Sequence, residues 1–306
     1  MESVLQYLRH PTWVIGSYKL RQYEKHLPDK MYLKCMYSAT MKKKLNLDPP
    51  VLYNEKLQWL KLNDFRPEYV KMVDKYEAKR FAGDRIGEEY IVPNYGVWDS
   101  FDDIDFDALP NEFVLKCTHD SASYVICRDK NTFDYNSAKE KINRCLSRDF
   151  FSIGRERQYK YVKPRIIAEK YLEDHKYHEL RDYKIFTFNS VPKLIHIVSN
   201  RQNENEPTYG DFFDMDYNHL DLTMGHDQAP VPPDKPVNFE KMKKFAEVLS
   251  KDIPHCRVDF YEVNGKLYFG ELTFRQDSGF AEIKPDRWNR ILGDWIDISN
   301  VKKQQN

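Results

Sequence analysis

The sequence predicts a mixed α/β fold of the α+β kind, and three stretches predict it. Residues 256–275, CRVDFYEVNGKLYFGELTFR, read as two strands joined at Asn264-Gly265. Apolar residues alternate on both sides of that Asn-Gly pair, the strongest short-range hairpin signal. Residues 113–130, FVLKCTHDSASYVICRDK, read as strand, polar turn and strand. Between these two stretches, strands at 166–174, 180–189 and 192–199 lead to an amphipathic helix at 238–253, apolar at Phe239, Met242, Phe245, Val248 and Leu249.

The 256–275 hairpin carries one acid per strand, Asp259 and Glu271. A tight two-residue loop pairs Asp259 with Gly270 and turns Glu271 to the opposite face. A three-residue loop, Val263 to Gly265, pairs Asp259 with Phe269 and leaves the two acids diagonal on one face. The three-residue or a bulged register makes chemical sense of them. Two carboxylates on rigid neighbouring strands can hold Mg²⁺ against a nucleotide's phosphates, with phosphate oxygens and water completing the octahedron. A plain hairpin with solvated acids has the same spacing.

Taken in order, the first 50 residues hold nine Lys/Arg against four Asp/Glu. Residues 1–9 could form a short helix that touches a membrane surface or an anionic glycan, or is the solvated face of a packed helix. Lys42-Lys43-Lys44 before Asp48-Pro49-Pro50 marks a helix end and turn. Residues 55–82 are helical, 88–98 a strand breaking at Pro93, and 99–111 an acidic connector whose DDIDFD reads as a solvated loop or helix start. Lys116 lies inside an apolar strand, where a lone lysine is costly without an anionic partner. The turn after it offers Ser121, Ala122 and Ser123, small enough for backbone N–H groups to fold over phosphates. A helix at 137–148 and a basic, solvated loop at 155–165 follow, and the polar stretch 200–236 reads as a long surface excursion.

Composition narrows the classes. The chain of 306 residues has 48 basic and 48 acidic side chains, which argues against a general nucleic-acid binder. With 21 Tyr, 18 Phe and 5 Trp it has ample material for a core. Cys35, Cys117, Cys127, Cys145 and Cys256 lack CxxC spacing and fit buried thiols in a reducing cytosol. No 18-residue apolar run spans a bilayer, and the expectation is a cytoplasmic protein, with peripheral contact to membrane-bound glycan machinery left open.

The order of lysine strand, small-residue turn, EKYL (169–172), DYK strand and Asp…Glu hairpin resembles the ATP-grasp fold. More closely, NEKLQWLKL (54–62), VDKY (73–76), FVLKC.H (113–119), DYKIF.F (182–188) and RVD…NGK.YFGELTF (257–274) resemble the TupA-like ATP-grasp family of bacterial surface-polysaccharide loci. The resemblance covers about residues 28–298. It implies two α+β subdomains gripping ATP, divided as an N-terminal helical and α/β extension (1–111), a lid (112–172) and a C-terminal subdomain with the metal hairpin (173–306). It implies that Lys75, Lys116, Ser121 and Ser123 meet the ATP phosphates. It further implies that the Glu169-Lys170-Tyr171-Leu172 run is the adenine hinge, read through the Lys170 carbonyl and the Leu172 amide. Lys184 would meet the transferring phosphate or the substrate carboxylate. Asp259 and Glu271, with Thr273 where the superfamily often has Asn, would bind Mg²⁺.

Three departures stand out. Asp120-Ser121-Ala122 replaces the family's usual Gly-Ser-Gly, bringing a negative charge toward phosphate unless it turns away. Thr273 is a poorer ligand than Asn. Arg275, in a run that replaces TPGSG, could present a bidentate fork to a substrate carboxylate. The expected activity is that of a carboxylate–amine ligase joining an amino acid or other amine to a carboxylate-bearing sugar or glycan through an acyl phosphate. The rivals are a glycosyltransferase using Asp214-Met215-Asp216 as a metal site and a non-catalytic nucleotide-binding scaffold.

Overall fold

The computed structural model describes residues 27–177, 179–201 and 207–301; the helix expected at 1–9 lies outside them. In chain order the described residues form helices α1 (Asp29–Met41), α2 (Tyr53–Asn63), α3 (Glu68–Val73) and α4 (Glu77–Ile86). Next come β1 (Asn94–Trp98), β2 (Phe113–Cys117), β3 (Tyr124–Cys127), α5 (Tyr135–Leu146), α6 (Phe150–Gly154) and β4 (Ile166–Lys170). Then follow β5 (Asp182–Phe188), β6 (Val191–Ser199), β7 (Tyr209–Phe213) and the short β8 (Thr223–Met224). The chain continues with α7 (Phe239–Leu249), β9 (His255–Val263), β10 (Lys266–Thr273), β11 (Ile283–Lys284) and α8 (Arg287–Trp295).

Two antiparallel sheets border one cleft. The smaller has the order β1-β4-β2-β3 and the larger β10-β9-β5-β6-β7, while β8 and β11 form a separate two-stranded ribbon. Alternation gives the larger sheet its two faces. Tyr183, Ile185, Ile195, Ile197, Val258 and Phe260 point to one face and pack with α3, α4 and α7. Phe186, Phe188, Leu194 and Phe212 point to the other and pack with Tyr53, Leu57 and Leu60 of α2 and Leu292 of α8. Full burial of one such side chain contributes about 1.5–3 kcal/mol, which holds the helices on the sheet. The α2–α8 layer covers only part of its face; the remainder is the cleft floor. Behind the smaller sheet, Ala138, Ile142 and Cys145 of α5 cover Phe113, Leu115 and Ile166. The β2 alternation leaves Val114 and Lys116 at the cleft.

Of the residues before 112, β1 is an edge strand of the smaller sheet and α2–α4 bury their apolar sides on the larger one. Two expectations are corrected here. Residues 155–165 are not a solvated loop: Arg155, Glu156 and Gln158 are buried and part of the stretch is a short 3₁₀ helix. The excursion at 200–236 contains β7, which pairs with β6 and buries Asp211, Phe212 and Phe213. All five cysteines are free thiols, four of them buried. Among the described residues no helix is long and apolar enough to cross a membrane.

Candidate active site

The β9–β10 hairpin closes through the tight loop. Asn264 and Gly265 both adopt positive φ (51° and 77°), the conformation a two-residue hairpin turn of matching twist requires. Val263 pairs with Lys266, and the register holds to Phe260–Phe269. It then slips by one residue at Gly270, so Glu271 lies directly opposite Asp259. A bulge, not a three-residue loop, therefore puts both acids on one face.

The same register extends across the sheet. Asp259 is opposite Lys184, Lys184 opposite His196, and His196 opposite Phe212. Directly opposed residues share a face. Glu271, Asp259, Lys184 and His196 thus form one row on four neighbouring strands, on the floor of a cleft of about 410 Å³.

Arg257 lies two residues before Asp259 and so on the same face. Its Nε and Nη2 donate to the two Asp259 oxygens at 2.6 Å each, and Nη2 also donates to Glu271 Oε1 at 3.1 Å. Its Nη1 donates to Gln276. A cation is thus already seated between the two carboxylates, whose oxygens are the hard donors that Mg²⁺ takes. Among the described residues no group of three or more His, Cys, Asp or Glu side chains is placed to hold a metal ion. The two acids are pushed apart in acidity. Burial raises the Asp259 carboxyl above its usual range despite Arg257 and Lys184. At Glu271, whose side chain is 43% exposed, burial is outweighed by Arg257, Lys75 and Lys184, and the carboxyl is held below its usual range.

The opposite wall comes from the smaller sheet. Lys116 does find the anionic partner that its apolar strand requires: its Nζ lies 2.7 Å from Glu169 Oε2. Lys79 of α4, buried, approaches the other Glu169 oxygen at 3.1 Å and donates to the Val92 carbonyl at 2.9 Å. Burial pushes the Glu169 carboxyl up, but the two ammonium groups outweigh it and hold it at about 2. The side chain of Glu169 is thus anchored in a buried triad. Lys75 precedes α4 and donates to the Asp120 carbonyl. Ser121 and Ser123 line the cleft, and Ala122 adopts φ 62°, the conformation glycine would take more easily. The Asp120 side chain, fully buried, accepts hydrogen bonds from Ser123 and from Arg148 Nη1 at 3.4 Å. The aspartate turns away from the cleft. At the far end, Lys170, Tyr171 and Leu172 line the cleft with Val92, Val114, Ile126 and Leu180, an apolar slot.

Two expected site residues do not line the cleft. Arg275 does not line the cleft. It is 4% exposed, its Nη2 lies 3.7 Å from Asp64 Oδ2, and its Nη1 donates to the Phe274 carbonyl at 2.9 Å. It belongs to a buried charged group with Lys61 and Glu156 beneath the loop after β10. Arg275→Ala is therefore expected to lower unfolding stability, read from urea melts, while leaving the KM for an acid substrate unchanged. A raised KM in a variant of wild-type stability would restore it to the site. Thr273, opposite Arg257 and on the same face as Glu271, donates its hydroxyl to Glu271 Oε1 at 3.2 Å and supports that acid without itself lining the cleft. The Asp214-Met215-Asp216 alternative is spent in a turn: Asp214 accepts from the Asp216 and Asn218 amides at 2.9 and 2.8 Å.

Sequence reasoning missed Lys79, Arg257, His196, Gln276 and Asp277. Arg257 was open to discovery through the period-two spacing from Asp259. Gln276 and Asp277 were not, because their placement depends on a loop in which Asp277, Ser278 and Gly279 all take positive φ. Gln58 and Lys61 of α2 hold that loop by its Ser278 and Gly279 carbonyls.

Two α+β units enclosing a cleft between antiparallel sheets, with paired acids on one wall and lysines on both, define the ATP-grasp fold. Residues 55–297 match the model of the TupA-like ATP-grasp family, and the chain belongs to that family. No curated protein matches it in sequence. Among solved structures it is similar to D-alanine–D-alanine ligase from Bacillus anthracis complexed with ATP (15% identity, TM-score 0.37), covering 74% of this chain and 58% of that one. For the Helicobacter pylori D-alanine–D-alanine ligase the values are 14%, 0.45, 80% and 69%. For Campylobacter jejuni biotin carboxylase they are 10%, 0.41, 77% and 47%. The chain thus spans under two thirds of the length of the Bacillus ligase.

Proposed function

We propose that the chain is an ATP-dependent carboxylate–amine ligase that forms an amide through an acyl phosphate. The observation that supports this reading best is the row Glu271, Asp259 and Lys184 on the cleft floor, facing Lys116 and Lys75 on the other wall. In this reading the apolar slot at Leu172 takes the adenine ring, with the Lys170 carbonyl and Leu172 amide on its polar edge. Lys75, Lys116 and the Ser121–Ser123 turn hold the phosphates. Asp259 and Glu271 would hold Mg²⁺, which when bound neutralises charge on the transferring phosphoryl oxygens. Lys184 orients the acid's carboxylate toward that phosphoryl group. Burial, and after it Arg257, lowers the Lys184 ammonium from its usual range against the pull of Asp182 and Asp259.

The family's setting in surface-polysaccharide biosynthesis supports a uronic acid of a glycan or its precursor as the acid and an amino acid or other amine as the nucleophile. ADP release that requires ATP, an acid and an amine together tests the reading; turnover of a nucleotide sugar instead would contradict it. The hinge has its own test. Leu172→Pro removes one backbone donor and should weaken ATP binding by the ~1–3 kcal/mol of an unsatisfied buried partner. Unchanged affinity by calorimetry in the folded variant would move the hinge elsewhere.

A further inference from the structure

Five acids line the cleft among the described residues: Glu169, Asp182, Asp259, Glu271 and Asp277. Four of them have a protein cation within ion-pair distance. Glu169 is held by Lys79 and Lys116, Asp182 by Arg201, and Asp259 and Glu271 by Arg257. Asp277 has no such cation among the described residues. Its carboxylate accepts one hydrogen bond, from Gln276 Nε2 at 2.8 Å to Oδ2, and among the described residues Oδ1 accepts none. Gly225 lies beside it: a Cβ there would come 3.9 Å from Asp277 Oδ2, so a longer side chain would crowd the carboxylate. His226, the next residue on that wall, does not supply the missing charge. Burial first, and then Lys184, push its imidazole below the usual range against the pull of Asp277, so it is neutral at physiological pH. The loop fixes the carboxylate in place. Asp277 and Ser278 take φ of 43° and 53°, and Gln58 and Lys61 donate to the Ser278 carbonyl at 3.0 and 2.6 Å. In the reading above this cleft receives a polyphosphate and a carboxylate, and like charges brought together cost affinity. An unpaired carboxylate there marks the place of a cation that comes from outside the chain. That cation is not a metal held by Asp259 and Glu271. Two side chains intervene, since Arg257 donates to both acids and to Gln276, and Gln276 donates to Asp277.

We infer that Asp277 binds the amine co-substrate as its ammonium, and so selects an amine that is protonated at neutral pH. The inference rests on the ligase reading above and names the amine's position within the same site. Aliphatic primary amines carry a proton at pH 7, and an ammonium offers three donors to a carboxylate. In the step, the ammonium loses one proton to solvent and its nitrogen adds to the acyl carbon, forming the C–N bond. The C–O bond to the phosphoryl oxygen breaks and phosphate leaves with the electron pair. The second proton lost from nitrogen goes to that phosphate. The competing account is purely conformational, because aspartate tolerates positive φ better than most residues. Asparagine tolerates it equally, keeps the shape and loses the charge.

The test therefore compares a charged and an uncharged nucleophile in Asp277→Asn. Hydroxylamine is largely uncharged at neutral pH and attacks acyl phosphates directly. The acid is whichever of glucuronate, galacturonate and polygalacturonate gives hydroxamate with wild-type enzyme, ATP, Mg²⁺ and hydroxylamine. The amine is whichever of glycine, L-lysine, L-glutamate and ethanolamine then gives amide. A hydrogen bond to a charged group is worth ~10–10²-fold in affinity. Asp277→Asn should raise the KM of the amine by that factor and leave the KM of hydroxylamine unchanged. Asp277→Gly, in which positive φ costs nothing, is the second variant and should behave alike. ATP affinity by calorimetry shows that each has folded. An unchanged amine KM, or KM values raised by one factor for both nucleophiles, would overturn the role of Asp277. Hydroxamate without amide from any of the four amines would overturn it too. Absence of hydroxamate from wild-type enzyme with all three acids would instead overturn the ligase reading, and the inference with it.

Discussion

Glu271→Gln is expected to bind adenine nucleotide and to release ADP ~10²–10³-fold more slowly than wild type. The substitution keeps the shape of a side chain that lies opposite Asp259 and 3.1 Å from Arg257, but removes one of the two charges that would hold Mg²⁺. Most proposed nucleotide contacts come from elsewhere, namely the slot at Leu172 and the lysines of the other wall. Loss of one preorganised group acting on developing charge costs about 2.7–4 kcal/mol of transition-state stabilisation. Binding by calorimetry and ADP release, measured with the acid and amine that support wild-type turnover, check it together. Wild-type ADP release from the variant would remove Glu271 from the chemistry.

Glu169→Gln is expected to destabilise the fold rather than the reaction. Among the described residues Glu169 is the one anion paired with the two ammonium groups of Lys79 and Lys116, of which Lys79 is only 8% exposed. Removing one partner of a buried ion pair costs ~3–5 kcal/mol, because the remaining charge is left uncompensated. The pH dependence follows from the same contacts. The carboxyl titrates near 2 in the folded protein against 4.5 ordinarily, so its contribution is fully present above about 4.5 and is lost as pH falls toward 2. Urea unfolding at pH 7 should show the loss, and the variant's stability should fall less than that of wild type across the acid window. Equal stabilities at pH 7 would contradict the triad's role.

Much of the fold was legible because its signals are local. The Asn264-Gly265 turn, the alternation in 182–188 and 191–199, and the apolar stripe of 239–249 each specify an element from neighbouring residues. The shared face of Asp259 and Glu271 was anticipated, though a one-residue slip at Gly270 produced it rather than the loop length. What sequence could not supply was long-range. Lys116 read as needing an anion, and the anion proved to be Glu169, 53 positions away and within the stretch assigned to the hinge. Arg275 read as a substrate clamp because it follows the metal strand in sequence. The chain turns after β10, and buried Asp64 on the far side holds the guanidinium. β7 was hidden in a polar stretch because only five residues, Tyr209–Phe213, join the sheet.

The central claim is that this cleft phosphorylates a carboxylate before the amide forms, and an oxygen label tests it most directly. The acid is supplied with ¹⁸O in its carboxylate, together with ATP, Mg²⁺ and an amine, and the released phosphate is examined by ³¹P NMR. Acyl transfer through an acyl phosphate breaks the carbon–oxygen bond, so the account predicts one ¹⁸O in the phosphate for every amide formed. Amide formation with phosphate free of ¹⁸O would contradict it.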